Sequence, residues 1–372
     1  MIYLDYNATT PVDGVVLDAM LPYFAERFGN PSSSHAFGCA ARAAVDRARQ
    51  EVAASINAEP DEIVFTSGAT EANNLAVFGS TSMHGGGHVI TTAIEHPAIA
   101  APCMRLEAAG FRVTRLPVGR DCRIDPGELA AAITKETVLV TVMHSNNETG
   151  AMQPVAEIGR ILNGRGMAFH TDAAQSPGKA DIDVKALGVD FMSLAGHKFY
   201  APKGIGALYI RRGSNLRPLM YGAGHERGIR PGTENVPLIV GLGAAAGLAA
   251  GGAYAGRLRE LSDALYNRLK AAFPDARING NADMRLPNTL NVCLPGVSVG
   301  ALLGRLSDRL AASAGAACHG FGNAPSGVLK AMGLSYADAL SSIRLSVGKD
   351  TTIDEIDEAA RLIAEASGAT AV

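Results

Sequence analysis

The sequence predicts an α/β fold, in which helices cover both faces of a mostly parallel sheet and a smaller α+β domain lies beside it. Two observations indicate this. Short β-branched apolar runs alternate with helical segments through the first two thirds of the 372 residues. From about residue 253 a long charged amphipathic segment replaces that alternation. Such alternation is typical of parallel sheets, where ligands bind beyond the carboxyl ends of the strands.

The first group of elements follows the chain in order. The predicted strands and helices are DEIVFTSG (61–68), ATEANNLAVFGS (69–80), GHVITTAIEH (87–96), PAIAAPCMRLEAAG (97–110), FRVTRLPV (111–118), TVLVTVMHSN (137–146), VAEIGRILNGRG (155–166) and MAFHTDAA (167–174). An apolar strand, a polar turn and another strand follow in DFMSLAGHKFYAPKGIGALYI (190–210). Their spacing favours repeated strand–helix units.

The second group predicts the small domain. It comprises a helix AGRLRELSDALYNRLKAAF (255–273), LPNTLNVCLPG (286–296), a helix around GALLGRLSDRL (300–310), the strand SSIRLSVG (341–348) and a last helix. That last helix opens with Thr352 and Glu355 at capping-box spacing. We therefore expect a large domain over residues 12–252, and a small domain formed by residues 1–11 and 253–372.

Composition restricts the class of function. The net charge is −3, from 33 basic and 36 acidic residues that are interspersed, so we expect neither a direct nucleic-acid partner nor an anionic membrane. Five scattered cysteines without a C-x-x-C pair argue against a disulfide framework or a zinc site, and no metal is expected.

The start MIYLDYNATTP lacks a secretory pattern, which predicts a cytoplasmic protein. Residues 236–256 are uncharged but rich in Ala and Gly, which favours an interior helix over a membrane span.

Two charged residues stand where apolar strands end. At such an edge, desolvation would lower the pKa of Lys198 and free its amine as a Schiff-base nucleophile, although a solvated loop lysine is the alternative. Asp172 is costly there unless it meets a cation such as a pyridinium nitrogen, and a turn aspartate is the alternative. Together the two residues favour pyridoxal phosphate chemistry.

Other segments add polar groups to the same sheet edge. The stretch FTSGATEANN (65–74) predicts a strand, a turn and a helix start whose N–H groups suit a phosphate, though capped helices are common. His96, Asn147 and the cluster GAGHERGIRPGTEN (222–235) also interrupt apolar stretches, where each could be an ordinary loop. On SSIRLSVG, Arg344 is either half-solvated or paired with a carboxylate, such as that of a substrate.

The motifs LDYNATTP, FTSGATEANNLA, EHPAI, HSNNETG, HTDAAQSPGK, GHKFYAPKGIGALYI, GHERGIRPGTENV, SAGAACHG and RLSVG occur in this order along nearly the whole chain. Together they resemble the pyridoxal-phosphate-dependent cysteine desulfurases of the class V aminotransferase group. The resemblance implies a fold-type-I homodimer that takes sulfur from L-cysteine, leaves L-alanine, and stores the sulfur as a persulfide for an acceptor protein, as in iron–sulfur cluster biogenesis.

The resemblance also implies a role for each matching residue. For the cofactor, the implied residues are Lys198 as Schiff base, Asp172 on the pyridine nitrogen, His96 stacked on the ring as proton shuttle, Gln175 and Asn147 on the ring hydroxyl or substrate, and Ala69, Thr70 and His197 on the phosphate, joined by Thr233 of the other subunit. For the substrate, they are Arg344 on the carboxylate, with Asn147 and Asn7 nearby, and Cys318 as sulfur acceptor. The glycines around Cys318 predict a mobile carrier loop.

Departures and alternatives accompany this resemblance. Many desulfurases have a serine where this chain has Ala195, which removes one phosphate contact. The chain ends at Val372, soon after its last predicted helix, so docking of a scaffold protein there is in doubt. The Cys318 region also resembles selenocysteine lyases, which makes release of selenium from L-selenocysteine the second hypothesis. A non-catalytic sulfur-relay protein or a plain aminotransferase is a further alternative.

Overall fold

A computed structural model describes residues 1–314 and 325–368. Its strands are β1 Ile2–Tyr3, β2 Ile63–Thr66, β3 His88–Thr92, β4 Arg112–Leu116, β5 Thr137–Thr141, β6 Ala168–Asp172, β7 Phe191–Ala195, β8 Gly206–Ile210, β9 Arg277–Ile278, β10 Thr289–Cys293, β11 Leu310–Ala311, β12 Ser313–Ala314 and β13 Ser342–Ser346. Its α-helices are α1 Gly14–Met20, α2 Pro22–Ala25, α3 Ala36–Ala54, α4 Ala69–Thr81, α5 Pro97–Ala108, α6 Pro126–Ala132, α7 Val155–Leu162, α8 Val184–Leu187, α9 Val236–Ala249, α10 Ala255–Ala272, α11 Val299–Arg305, α12 Gly327–Ala331, α13 Tyr336–Leu340 and α14 Ile353–Ser367.

The main sheet has the strand order β2-β8-β7-β6-β5-β3-β4. Neighbours pair in parallel from β7 to β4, whereas β8 runs antiparallel to both β7 and β2. Apolar side chains on one face pack with α3, α7 and α9, and those on the other face pack with α4 and α5. The mostly parallel sheet covered by helices is therefore confirmed.

A smaller antiparallel sheet has the order β12-β13-β10-β9, and β1 pairs in parallel with β11. Leu4 packs in the apolar cluster of this part, with residues of α10 and α14. A further cluster joins α12 to residues that follow β3 and β5, so the small sheet's helices also pack on the main sheet. The division into two domains at residues 12, 252 and 253 stays a prediction.

Most predicted elements have shorter counterparts in the structure. Strand β3 ends at Thr92, four residues before the predicted end, because a turn at Ala93 and Ile94 follows and His96 caps the start of α5. The helix predicted around 300–310 is wrong at its end: α11 stops at Arg305 and Leu310 pairs with Ile2 instead. The capping box of Thr352 and Glu355 is confirmed at the start of α14.

The uncharged segment that begins at Val236 forms α9, most of which is buried. Within the described residues, no single helix is long and apolar enough to cross a membrane. The stretches Val236–Gly252 and Ala255–Ala272 meet those criteria only as a pair, and they are bent by 71° at the break between them.

Two buried histidines should make the folded protein less stable in acid. The imidazole rings of His144 and His170 are hydrogen-bonded to hydroxyl groups. Burial lowers the pKa to about 4 for His144 and to about 3 for His170. Because the unfolded chain takes up these protons near pH 6.5 and the folded chain does not, the free energy of unfolding should fall from about pH 6.5 downward. Each histidine lowers the free energy of unfolding by about 1.4 kcal/mol per pH unit between pH 6.5 and its own folded-state pKa.

The measurement is urea unfolding between pH 7.5 and 5. His170→Asn should lessen the loss on acidification, whereas His84→Asn, at an exposed histidine, should leave it unchanged. An identical loss in the parent and in His170→Asn would contradict the assignment.

Candidate active site

A cavity of about 680 Å³ lies where β2, β3, β5, β6 and β7 end. The predicted site residues that line it are Asn7, Ala69, Thr70, His96, Asn147, Asp172, Gln175, His197, Lys198 and Arg344. Thr233 is exposed and is not part of the lining, and Cys318 lies outside the described residues. Parallel strands bring residues that are far apart in sequence to one edge, as the topology requires.

Lys198 stands three residues after the end of β7. Its Nζ donates to the backbone carbonyl oxygens of Asn7, at 2.5 Å, and of Ala8, at 2.9 Å. Burial lowers the pKa of Lys198 to about 8, helped by the charge of Arg344 and opposed by those of Asp172 and Asp5. About a tenth of this amine is therefore unprotonated at pH 7, and about half at pH 8, in the form that a nucleophile or base requires.

Asp172 is the last residue of β6 and is buried. Its Oδ2 accepts a hydrogen bond of 2.7 Å from Nδ2 of Asn73, and its Oδ1 accepts one of 2.9 Å from the Ala174 N–H. Sequence reasoning missed Asn73, although its place one helical turn after Ala69 puts it on the same face of α4. The two bonds fix the direction of a carboxylate that faces the cavity.

The start of α4 forms another wall. Its N-cap is Gly68, with φ 153°, and no side chain caps the helix. A Cβ on Gly68 would meet no atom within 4 Å, so this backbone borders open space. Gly206 lets β8 approach, because a Cβ there would lie 2.7 Å from the Gly68 Cα. Uncapped helical N–H groups with this clearance suit a phosphate.

The two histidines of the lining are oriented by hydrogen bonds. Nδ1 of His96 accepts from the N–H of Ala98 at 3.1 Å, so in the neutral ring the proton is on Nε2. His197 Nδ1 lies 3.2 Å from Thr9 Oγ1. Burial, followed by the charge of Lys198, lowers the pKa of His197 to about 4, which keeps this ring neutral.

Arg344 pairs with a carboxylate of its own chain. Its Nη2 lies 2.7 Å from Oδ1 of Asp5, and its Nη1 donates to the Asn147 carbonyl at 3.1 Å. Sequence reasoning left open whether Arg344 is half-solvated or paired, and the structure shows the pair. It did not identify Asp5 as the partner, because no periodic pattern relates positions 5 and 344.

Asn7 links the N-terminal segment to the cavity through hydrogen bonds. Its side chain bonds to the Asn147 carbonyl, Thr289 and Asn288, and its backbone carbonyl also accepts from Nε2 of Gln175 at 3.0 Å. Because its side-chain amide is occupied by these bonds, Asn7 acts by orienting the residues that it contacts. The predicted contact of Asn7 with substrate stays a prediction.

Ion pairs attach the segment 222–235 to α3 and α4. Arg230 pairs with Glu71 at 2.8 Å, and Arg49 pairs with the buried Glu226 at 2.6 Å. Glu226 and Arg227 have left-handed backbone conformations, with φ of 46° and 57°, which turn the chain sharply before Thr233. These contacts hold the segment in place, and Thr233 itself is not among the residues that line this cavity.

The cavity has the groups that pyridoxal phosphate requires. Oε1 of Gln175 and Oδ1 of Asn73 are buried and have no hydrogen-bond partner among the described residues, so each can bond to a bound molecule. A carboxylate, an amine and an uncapped helix start face the same space. Ala195 lines the cavity without offering a hydroxyl. Within the described residues, no cluster of His, Cys, Asp and Glu could hold a metal ion.

The model of the family "Aminotransferase class-V" matches residues 2–359. The chain belongs to this family. One curated relative of this class-V aminotransferase is the cysteine desulfurase IscS of Anaeromyxobacter sp. (strain Fw109-5), which is 49% identical over 371 residues, 98% of this chain and 92% of the relative.

Two solved structures are similar over nearly their whole length. A NifS-like protein has a TM-score of 0.91 at 35% identity, with 98% of each chain covered. SspA in complex with cysteine has a TM-score of 0.84 at 39% identity, with 95% of this chain and 100% of that chain covered. The fold-type-I architecture and pyridoxal phosphate as cofactor follow from this membership.

The pKa of Lys198 predicts how the apoprotein of this class-V aminotransferase recombines with its cofactor. Only the neutral amine can attack a carbonyl, so the rate should rise about tenfold per pH unit at low pH and level off above about pH 8. Stopped-flow absorption of apoprotein mixed with pyridoxal phosphate between pH 6 and 10 measures it. A half-maximal rate near pH 10.5 would show that the cavity does not perturb this lysine.

Proposed function

We propose that this protein is a cysteine desulfurase that converts L-cysteine to L-alanine and leaves the sulfur as a persulfide on Cys318. The observation that carries the proposal is the convergence of Lys198, Asp172 and Arg344 on one cavity, in a chain whose relatives are named cysteine desulfurases. A lysine amine, a carboxylate for a ring nitrogen and a guanidinium for a substrate carboxylate are the groups this reaction requires.

The residues that would hold the cofactor divide by its chemical groups. Lys198 would bind it covalently, and Asp172, oriented by Asn73, would pair with the ring nitrogen. The start of α4 with Ala69 and Thr70, and the neutral His197, would bind the phosphate. Gln175, whose Oε1 has no partner among the described residues, would bond to the ring hydroxyl. When bound, the cofactor supplies an electron sink for the substrate Cα.

The chain's own groups then perform the proton transfers and the positioning. Arg344 binds the substrate carboxylate, which places the Cα proton near Lys198. Since its pKa of about 8 leaves part of the Lys198 amine neutral, that amine can take up the proton. The ring of His96, whose Nδ1 accepts from the Ala98 N–H, carries its proton on Nε2 and can donate a hydrogen bond from that atom.

The sulfur step balances without an added oxidant. The Cys318 thiolate attacks the substrate sulfur, an S–S bond forms, and the C–S bond breaks with its electron pair left on carbon. Protonation of that carbon gives alanine, so L-cysteine and the Cys318 thiol become L-alanine and a persulfide. A reductant or an acceptor thiol then releases the sulfur.

The test measures products from the holoenzyme with L-cysteine and dithiothreitol. We expect L-alanine and sulfide in equal amounts. Pyruvate and ammonia as products, or transfer of the amino group to an oxo acid without sulfide, would show that another reaction of the same cofactor takes place.

We also propose a homodimer in the cytoplasm that passes its sulfur to an acceptor protein, with iron–sulfur cluster assembly as one destination. Support for the dimer comes from apolar side chains exposed on the single chain, including Leu21, Phe24, Phe28 and Phe37. Thr233, outside this cavity's lining, would then reach the phosphate site of the other subunit. Sedimentation equilibrium tests the dimer, and a monomer at micromolar concentration would contradict it.

A further inference from the structure

The guanidinium of Arg344 is held by a small network at the cavity wall. Besides its 2.7 Å contact to Asp5, Nη2 donates to Ser313 Oγ at 2.8 Å, and Ser313 Oγ donates to Oδ1 of Asp5 at 3.0 Å. The side chains of Arg344 and Asp5 are only 12% and 19% exposed. A charge pair in such surroundings is screened less by water than a pair on the surface.

One N–H group of the guanidinium has no partner among the described residues. Its Nη2 donates to Asp5 and Ser313, and its Nη1 donates to the Asn147 carbonyl. Its Nε is buried and has no partner among the described residues. An arginine grips a carboxylate best through two parallel N–H bonds. An incoming carboxylate therefore meets a cation whose charge is already balanced by Asp5 and whose orientation Asp5 maintains.

We propose that Asp5 is a positioning residue that sets the affinity of Arg344 for the substrate carboxylate: it orients the guanidinium and, through its negative charge, weakens binding. The inference rests on the proposed function, in which Arg344 takes that carboxylate. A lower affinity lets the alanine product, which carries the same carboxylate, leave more readily.

The two effects of Asp5 are separable by substitution. Asn keeps an oxygen that accepts from Arg344 and Ser313 but has no charge, whereas Ala removes both the acceptor and the charge. We expect Asp5→Asn to bind amino-acid carboxylates about three- to tenfold more tightly. This range corresponds to a free energy of about 1 kcal/mol, a reasonable value for one partly buried charge contact. Asp5→Ala should bind them more weakly than Asp5→Asn does, because Arg344 loses its orientation.

The experiment titrates the holoenzymes with L-alanine and, separately, with ethylamine, and follows cofactor absorption. Ethylamine has the amine but no carboxylate, so its affinity should be the same in the parent and in Asp5→Asn. The control variant is Asp13→Asn. Asp13 pairs with Lys349 at 2.9 Å in the same N-terminal segment but does not line the cavity, so the variant should match the parent with both ligands.

A second readout uses the pH dependence of cofactor recombination. Because the charge of Asp5 raises the pKa of Lys198 and that of Arg344 lowers it, Asp5→Asn should shift the half-maximal rate to lower pH. Asp13→Asn should not shift it. This measurement needs no turnover and no amino acid.

The outcomes separate this proposal from the function on which it rests. Equal L-alanine affinity in the parent and Asp5→Asn would overturn the role of Asp5, as would equally weakened binding in Asp5→Asn and Asp5→Ala. If the parent forms alanine and sulfide from L-cysteine, the proposed function stands whichever of these results is found. If the parent shows neither that turnover nor an L-alanine response, the function fails and the role of Asp5 fails with it.

Discussion

Replacing Lys198 by alanine is expected to lower kcat for L-cysteine by at least about 10³-fold, because the variant loses both the amine that fixes the cofactor and the base that takes the Cα proton. We do not expect another lysine to replace it: Lys179 is buried outside the cavity lining, and Lys203, although it lines the cavity, is exposed to solvent. Alanine and sulfide formation give the rate, and the absorption spectrum shows whether the cofactor is still covalently bound.

Lys185→Ala is the matched control for this prediction. Lys185 is exposed, pairs with Glu59 at 3.5 Å and does not line the cavity, so its loss should leave turnover and spectrum unchanged. Turnover of Lys198→Ala within tenfold of the parent, with pyridoxal phosphate bound, would show that another group removes the proton.

Replacing Cys318 by alanine is expected to abolish persulfide formation and to reduce sulfide release to below about 1% of the parent rate, since only a thiolate is a competent acceptor. The buried cysteines cannot substitute for it. Burial raises the pKa of Cys293, and raises the pKa to about 12 for both Cys103 and Cys122, so at pH 8 about one in 10⁴ of each of the latter two thiols is ionised.

The matched control is Cys39→Ala. Cys39 is exposed on α3 and lies outside the cavity lining, so this variant should retain the full rate. Mass spectrometry after a brief exposure to L-cysteine should find the added sulfur on the peptide with Cys318 in the parent. Undiminished sulfide release by Cys318→Ala would refute this role.

The sequence predicted the parallel sheet, because short β-branched runs alternating with helices leave few other architectures. It also predicted that Lys198 and Asp172 would share a site, since both follow apolar strands that end at one edge. It could not predict the contact of Asp5 with Arg344, 339 positions away, because such a contact depends on how the small sheet receives the N-terminal segment. It missed Asn73 because the spacing from Ala69 on α4 is the only signal for this residue, and that spacing alone does not distinguish a buried amide from a surface amide. The position of Cys318 lies outside the described residues, and its role stays a prediction.

The N-terminal segment has a consequence for how the protein is made. Ile2 pairs with Leu310, and Asn7, whose carbonyl accepts from the Lys198 amine, also bonds to Asn288 and to Ser346. During synthesis the first residues emerge from the ribosome long before those partners exist, and contacts of such high sequence separation form slowly. The nascent chain therefore cannot complete its catalytic pocket until nearly all of it has been translated, so capture of the cofactor in its final geometry is a post-translational event.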